Sequence, residues 1–415
     1  MIKITSVLQR VFLVIMEAPL RNTNWNGDTR YALGLYKYIT KSIGIWPCDS
    51  QTIPSKIQTI LVIILEITMA ISILSEINLN CGEVNDVIQM YSLAACCAIV
   101  IIKIASLRYN NKKIFAIISS SIYDWETVTH PKALEIMKRN AKLARSVCLF
   151  QMISAYLTAV MIIIGPLPYL NLQVNATLNS SDMIFRPLPL RTVCFYGEMS
   201  TKMFSAVYIL QAIQTLSTCT GNIGCDCYFF GIALHVAGQF EWLGVEFETL
   251  NTEASEEECS KSLATLVSKH NQLMQLSDYL EDSFHICIFL VLLINTVQIC
   301  LNGMQMIVSV RLGDTATAIN AVIIIYVMNL QIFLYSYAGD RLTSGIANLH
   351  VAIYGSTWYD LPQKTIKDLS FIMLRVNKTF NITAGKIYPM NIDSFKNILK
   401  AMLSYFSVMQ AMFEE

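Results

Sequence analysis

The sequence predicts an all-α integral membrane protein with seven transmembrane helices, a cytoplasmic N-terminus, an extracellular C-terminus and helical extensions below the membrane. Three observations predict it: apolar runs of span length, 54% hydrophobic against 14% charged residues, and a one-sided distribution of Lys and Arg.

A bilayer core takes about 20 mostly apolar residues per helix. Six runs qualify: Ile57 to Ile77, Val87 to Ile102, Val147 to Leu170, Met203 to Cys225, Phe284 to Val310 and Thr315 to Ala338. A seventh, from Phe395 to Phe413, is weaker because polar residues interrupt it. Val11 to Met16 is too short for the core of a secretory signal, so the first span is expected to direct membrane insertion.

Cutting the chain at these runs sorts the 30 basic residues. The segment before the first span, the second-to-third loop with Lys103 and Arg108, the fourth-to-fifth connection and the sixth-to-seventh connection hold 24 of them. The opposite loops hold Arg186, Arg191, Lys202 and Arg311, and Lys396 and Lys400 begin the last span. Basic residues stay in the cytoplasm, which puts the N-terminus inside and, with seven spans, the C-terminus outside. The zero net charge says little, because charge is sorted by side.

The chain thus divides into a cytoplasmic segment (1–56), a six-helix membrane region (57–338) with a cytoplasmic extension at about 236–282, a cytoplasmic anchor segment (339–393), and a last helix with a short extracellular tail (394–415). Of twelve cysteines only Cys81 and Cys194 fall in extracellular loops, where a disulfide is chemically permitted. Sequons at Asn175 and Asn179 fall outside, and those at Asn377 and Asn381 fall inside.

Beyond the fourth span, Val236, Phe240, Leu243, Phe247 and Leu250 repeat at helical spacing. Leu263, Leu266, Leu273 and Leu280 form a second stripe ahead of the fifth span, and the two are expected to pack as an antiparallel pair. His270 lies on the second stripe, where a hydrogen-bonded core histidine is the expectation. Glu66 stands mid-span in the first helix and Asp226 near the inner end of the fourth; each suits either an ion path or a hydrogen bond to a neighbouring helix.

The last span is two-faced. Asn397, Ala401, Ser404, Val408 and Ala411 share one helical face with Met412 at its edge, while Ile398, Met402, Phe406, Met409 and Phe413 share the other. The small face suits tight packing against neighbouring helices. It equally suits a pore lining, with Val408 and Met412 as an apolar constriction that dewets when closed. Glu414 and Glu415 would then concentrate cations at the outer mouth, beside a negative helix end.

The C-terminal third carries Tyr335-x-x-x-Gly339-Asp340-x-Leu342, then Ala352-x-Tyr354 with Trp358-Tyr359-x-Leu361, and last Ser394-Phe395 through Lys400 to Ser404-Tyr405-Phe406. In that order these pieces resemble insect odorant receptors, and Asp226, His235 and His270 look like positions that family fills similarly. The resemblance implies an odorant-gated, non-selective cation channel of four subunits with no cofactor, each last helix lining the pore. It implies Val408 and Met412 at the gate, subunit contacts through the cytoplasmic helix ends, and a volatile organic ligand in the outer half of each subunit. Topology then nominates Met90, Tyr91, Tyr156, Met161, Phe204, Tyr208, Gln211, Asn320 and Ile324 for that pocket, a mostly apolar and aromatic set. The family's shared co-receptor has a long insertion between the fourth and fifth spans. Here that connection is short, which implies an odour-tuning subunit partnered by the co-receptor.

Other classes fit less well. A G-protein-coupled receptor needs an outside N-terminus, and neither an acidic-Arg-Tyr triplet nor Asn-Pro-x-x-Tyr stands where it should. A transporter could use Gly165-Pro166-Leu-Pro168 to break the third span, but no matching break occurs elsewhere. Five His and no nucleophile cluster give an enzyme little to work with, and nothing suggests nucleic acid.

Overall fold

A computed structural model describes residues 25–79, 84–166, 187–250, 255–376 and 380–412. The described residues are helical almost throughout. Helix α1 (Gly27–Ser42) starts at Asn26, whose side chain accepts from Thr29 N. Then come α2 (Ile53–Asn78), α3 (Val84–Tyr109), α4 (Asn111–Thr127), α5 (Pro131–Ile164) and a single short turn α6 (Val193–Tyr196). Three long helices follow: α7 (Thr201–Glu248), α8 (Glu256–Leu312) and α9 (Thr315–Gly355). After α10 (Gln363–Val376), a hairpin of β1 (Thr383–Ala384) and β2 (Tyr388–Pro389) leads into α11 (Ile392–Met412).

Local chemistry marks the ends. Ser255 and Glu258 form a reciprocal capping box at the start of α8. At its far end Gly313 takes φ +74, a left-handed value that glycine adopts without a Cβ clash, and Asp314 caps α9 by accepting from Thr317 N.

Five helices are long and apolar enough to cross a membrane by length and composition: α2, α3, α5, α8 and α9. The expected fourth and seventh spans lie in α7 and α11, whose apolar runs are diluted by Gln211, Gln214, Thr215 and Thr218 in one and by the Asn397 to Ser404 face in the other. Helices α7 and α8, of 48 and 57 residues, would measure roughly 72 and 85 Å at 1.5 Å per residue, far beyond a ~30 Å hydrocarbon core. Both run well past the length of a single span, and the periodic stripes lie on the parts that do so.

The stripes do not pack simply as a pair. Phe240, Leu243, Phe247, Leu273 and Leu280 are buried, but Leu342, Ile346, Leu349 and Ile353 of α9 join them. A Cβ at Gly345 would lie 3.3 Å from Ala237 O, and one at Gly244 3.3 Å from Ala352 Cβ, so small residues let α7 and α9 approach closely. Helix α9 runs unbroken through residue 339, where the sequence divided membrane region from anchor segment. His270 is buried edge-on to Phe240, and its Nε2 has no hydrogen-bond partner, contrary to the expectation of a fully bonded histidine.

Candidate functional site

The first group of site residues forms where α2, α3 and α7 meet the Leu188 to Tyr196 segment. Met90 packs with Met69 and Ile73 of α2, Cys97 of α3 and Leu190 in one buried apolar cluster. Phe204 packs with Leu188, Val207, Tyr196 and Tyr208 in a second. The segment carrying Leu188 and Leu190 links them. Gln211 holds that segment: its Oε1 accepts from Leu190 N at 3.0 Å and its Nε2 donates to Thr192 Oγ1 at 2.7 Å. Glu76 accepts from Cys194 N at 3.0 Å and Phe195 N at 2.7 Å, and Arg191 pairs with Asp86. Cys194 is disulfide-bonded, the other described cysteines are free, and Cys81 lies outside the described residues.

Of the nine nominated pocket residues, Met90, Phe204, Tyr208 and Gln211 therefore converge. Tyr156 is half-buried and its hydroxyl bonds Thr220 Oγ1 at 2.7 Å, while Tyr208 donates to Ile163 O, so both tie α5 to α7. Asn320 is half-buried on α9, and Ile324 packs against the main core. Tyr91 and Met161 face outward, away from this cluster. An apolar span gives the same residue types to lipid and to a pocket, and topology alone does not distinguish the two faces.

Sequence reading missed the polar seams. Helix α7 turns Gln211, Gln214, Thr215 and Thr218 inward at helical spacing. Gln214 donates to Thr68 Oγ1 at 3.0 Å, and Thr218 donates to Glu66 Oε2 at 2.8 Å. On α8, Asn295, Gln298, Asn302, Gln305 and Ser309 are all buried at alternating three- and four-residue spacing. Gln298 donates to Ser92 O at 2.8 Å and Asn295 to Gln331 Oε1 at 2.7 Å. That period was readable in the sequence as a polar heptad inside an apolar run.

Below these seams lies a buried ion pair. Lys103, assigned from sequence to a cytoplasmic loop, sits instead inside α3, only 2% exposed, with Nζ 2.5 Å from Asp226 Oδ1. Lys103 also donates to Asn222 Oδ1 at 2.5 Å, Gln331 Nε2 donates to Asp226 Oδ2 at 2.5 Å, and Tyr335 donates to Asp226. Asp226 thus binds three helices together, and its partners answer the choice left open by its sequence position. A cavity of about 20 Å³ lined by Tyr36, Trp125, Met137 and His235 lies lower, between α1, α4, α5 and α7; it has room for little more than one water.

The last helix is covered on one side. Phe395, Ile398 and Leu399 lean on the main core, Met402 is buried, and a Cβ at Gly303 would lie 2.3 Å from Phe406 Cε2. Asn397, Ala401, Ser404 and Val408 are exposed on the opposite face. The side chains of Ala411 and Met412 lie outside what is described, as do Glu414 and Glu415. Gly339 positions this helix: Met390 O would stand 2.1 Å from a Cβ there, so only glycine lets the residues before α11 lie on α9.

Comparisons place this geometry among known proteins. Odorant receptor 13a of Drosophila melanogaster is 22% identical over 406 residues, covering 89% of this chain and 93% of that protein. Odorant receptor 10 of Aedes albopictus and odorant receptor Or1 of Anopheles gambiae are 22% and 23% identical, each over 51% of this chain. In those two alignments the chain spans 56% and 57% of the relative's length, little more than half. The insect olfactory receptor OR5 from Machilis hrabei, in complex with eugenol, superposes with a TM-score of 0.73 at 16% identity, covering 93% of this chain and 100% of that one. The same receptor without that ligand gives 0.68 at 15% identity. These structures share the fold. The model of the 7tm odorant receptor family matches residues 83–403, from the start of α3 into α11, and the chain belongs to that family of multi-pass membrane receptors rather than to any enzyme class.

Proposed function

We propose that this chain is an odour-tuning subunit of an odorant-gated, non-selective cation channel in the plasma membrane of olfactory sensory neurons. One observation carries the channel reading: α11 buries its bulky face on α8 and α9 and leaves the Asn397, Ala401, Ser404 and Val408 face uncovered. A small, partly polar face left open on a membrane helix suits water on an axis shared by several subunits. With a cytoplasmic N-terminus, Val408 and Met412 fall near the outer end as the gate, and Glu414 and Glu415 stand at the outer mouth. Replacing both glutamates with Gln is expected to lower cation conductance; unchanged permeability would remove them from the mouth.

The cluster beside the Leu188 to Tyr196 segment is the proposed odorant pocket, consistent with a related receptor seen with eugenol. The short connection at residues 249–255 favours a tuning subunit that assembles with the shared co-receptor, four subunits to a channel, through the helix ends below the membrane. Patch-clamp recording with and without the co-receptor, under G-protein block, tests this. Odour-evoked current should need the co-receptor and survive the block. Current abolished by the block would instead identify a seven-span receptor acting through a partner protein.

A further inference from the structure

Helix α5 is the most open of the five long apolar helices: 17% of its most apolar stretch is buried, against 33–39% in the others. Its uncovered side changes character along the axis. Leu149, Ile153 and Val160 are exposed apolar residues, and Lys138, Lys142 and Arg145 precede them within about 80° of the same face at 100° per residue. Asp28 pairs with Lys138 at 3.0 Å and Glu241 with Arg139 at 2.5 Å, whereas Lys142 and Arg145 have no acidic partner among the described residues. Arg145 is held from α1: its Nη1 donates to Tyr31 O at 2.8 Å, and the guanidinium lies 4.7 Å from the centre of the Tyr31 ring. That bond uses one of the five N–H donors a guanidinium carries. Tyr31 and Tyr38 share one face of α1 and are 43% and 73% exposed.

Resting on the membrane-receptor reading above, with its cytoplasmic N-terminus, we propose that α5 and α1 bind an anionic phospholipid of the inner leaflet. Its phosphate meets Lys142 and Arg145, and an acyl chain lies along Leu149, Ile153 and Val160. Tyr31 and Tyr38 take the interfacial positions that amphipathic rings favour. The spacing fits. Arg145 stands roughly 6 Å before Leu149 along the axis at 1.5 Å per residue, and a headgroup layer is about 5–7 Å deep on each side of the hydrocarbon. Uncompensated bases that run directly into an apolar stripe favour a lipid over a soluble anion, which would gain nothing from the stripe.

The full chain, copurified with the co-receptor in neutral detergent and followed through a fluorescent tag on this subunit, tests this. Phosphatidylserine doped into the micelles should raise the melting midpoint, and equal mole fractions of phosphatidylcholine should not. Lys142→Gln alters an exposed side chain outside any ion pair, so it should fold normally. It should raise the phosphatidylserine fraction for half-maximal effect about fivefold, the ratio that ~1 kcal/mol per basic side chain supplies, and adding Arg145→Gln should raise it further. Lys132→Gln removes the same charge from another face of α5 and should leave the fraction unchanged. Equal shifts with phosphatidylcholine, an unaltered phosphatidylserine response in the double variant, or the same weakening in Lys132→Gln overturns the proposal. So does inorganic phosphate reproducing the shift, which would make this a site for a soluble anion. Loss of the co-receptor from the double variant also overturns it, by making the face a subunit contact. An N-terminal epitope reached by antibody on intact cells would overturn the topology on which the leaflet rests, independently of the micelle result.

Discussion

Lys103 and Asp226, separated by most of two spans in sequence, pair at 2.5 Å across α3 and α7 with each side chain 2% exposed. Breaking such a pair strands one charge in a medium that does not solvate it, at a cost of about 3–5 kcal/mol, whereas replacing both partners with apolar residues is often neutral. Lys103→Met and Asp226→Leu should each depress the melting temperature and surface level sharply. The double variant should recover most of both. Additive losses in the thermal midpoint of detergent-solubilised protein would show that the two residues act separately.

Gly303 and Phe406 couple the inner bundle to the last helix. A Cβ at 303 would stand 2.3 Å from Phe406 Cε2 and 2.9 Å from Cδ2, too close for any carbon pair, so the ring must move. Gly303→Ala is expected to displace α11 and change resting current or odour sensitivity several-fold. Adding Phe406→Leu should restore wild-type gating by vacating the space. Single-channel open probability is the measurement, and an unaltered Gly303→Ala channel would mean that this contact transmits nothing.

Periodicity made the fold legible where one face differs from the other. The bulky and small faces of α11 separate in sequence, and Met402 and Phe406 pack inward while Ser404 and Val408 do not. Pairing was not legible. Lys103 reads as the first residue of a basic loop because its neighbours Ile101 and Ile102 end the apolar run, and nothing local names Asp226 as its partner. The proposed pocket fell between these cases: position alone nominated Gln211 and Met90, which are buried, and equally Tyr91 and Met161, which face outward. Glu66 was legible as an oddity, but its partner Thr218 appears only once α2 and α7 are assembled.

His270 predicts acid-sensitive packing between α7 and α8. Burial, and then the charge of Arg375, lower its pKa from 6.5 to about 4. A base with a depressed folded-state pKa stays neutral in the native protein while the unfolded chain takes up a proton. Stability is therefore full above pH 6.5 and falls as pH drops toward 4, by at most ~1.4 kcal/mol per pH unit. Melting temperatures of the solubilised protein between pH 7 and pH 5 should show this slope. His270→Leu should flatten it, and an identical slope in that variant would assign the acid sensitivity to other groups.

Val408 carries the gate prediction. Its side chain is 56% exposed on the uncovered face of α11, and Leu403, 67% exposed, lies roughly 140° away around the helix at 100° per residue. An apolar ring blocks ions because water leaves a narrow greasy constriction, so one hydroxyl per subunit should rewet it. Val408→Ser should therefore raise the current without odour several-fold, carried by sodium and abolished when external sodium is replaced by a large organic cation. Leu403→Ser changes polarity equally but points to the flank, where a neighbouring helix rather than the axis would meet it, and should leave the resting current low. If both variants leak alike, loosened packing explains the current and Val408 is not the gate. A Val408→Ser channel that stays shut without odour while conducting normally with it would move the constriction to another residue of that face.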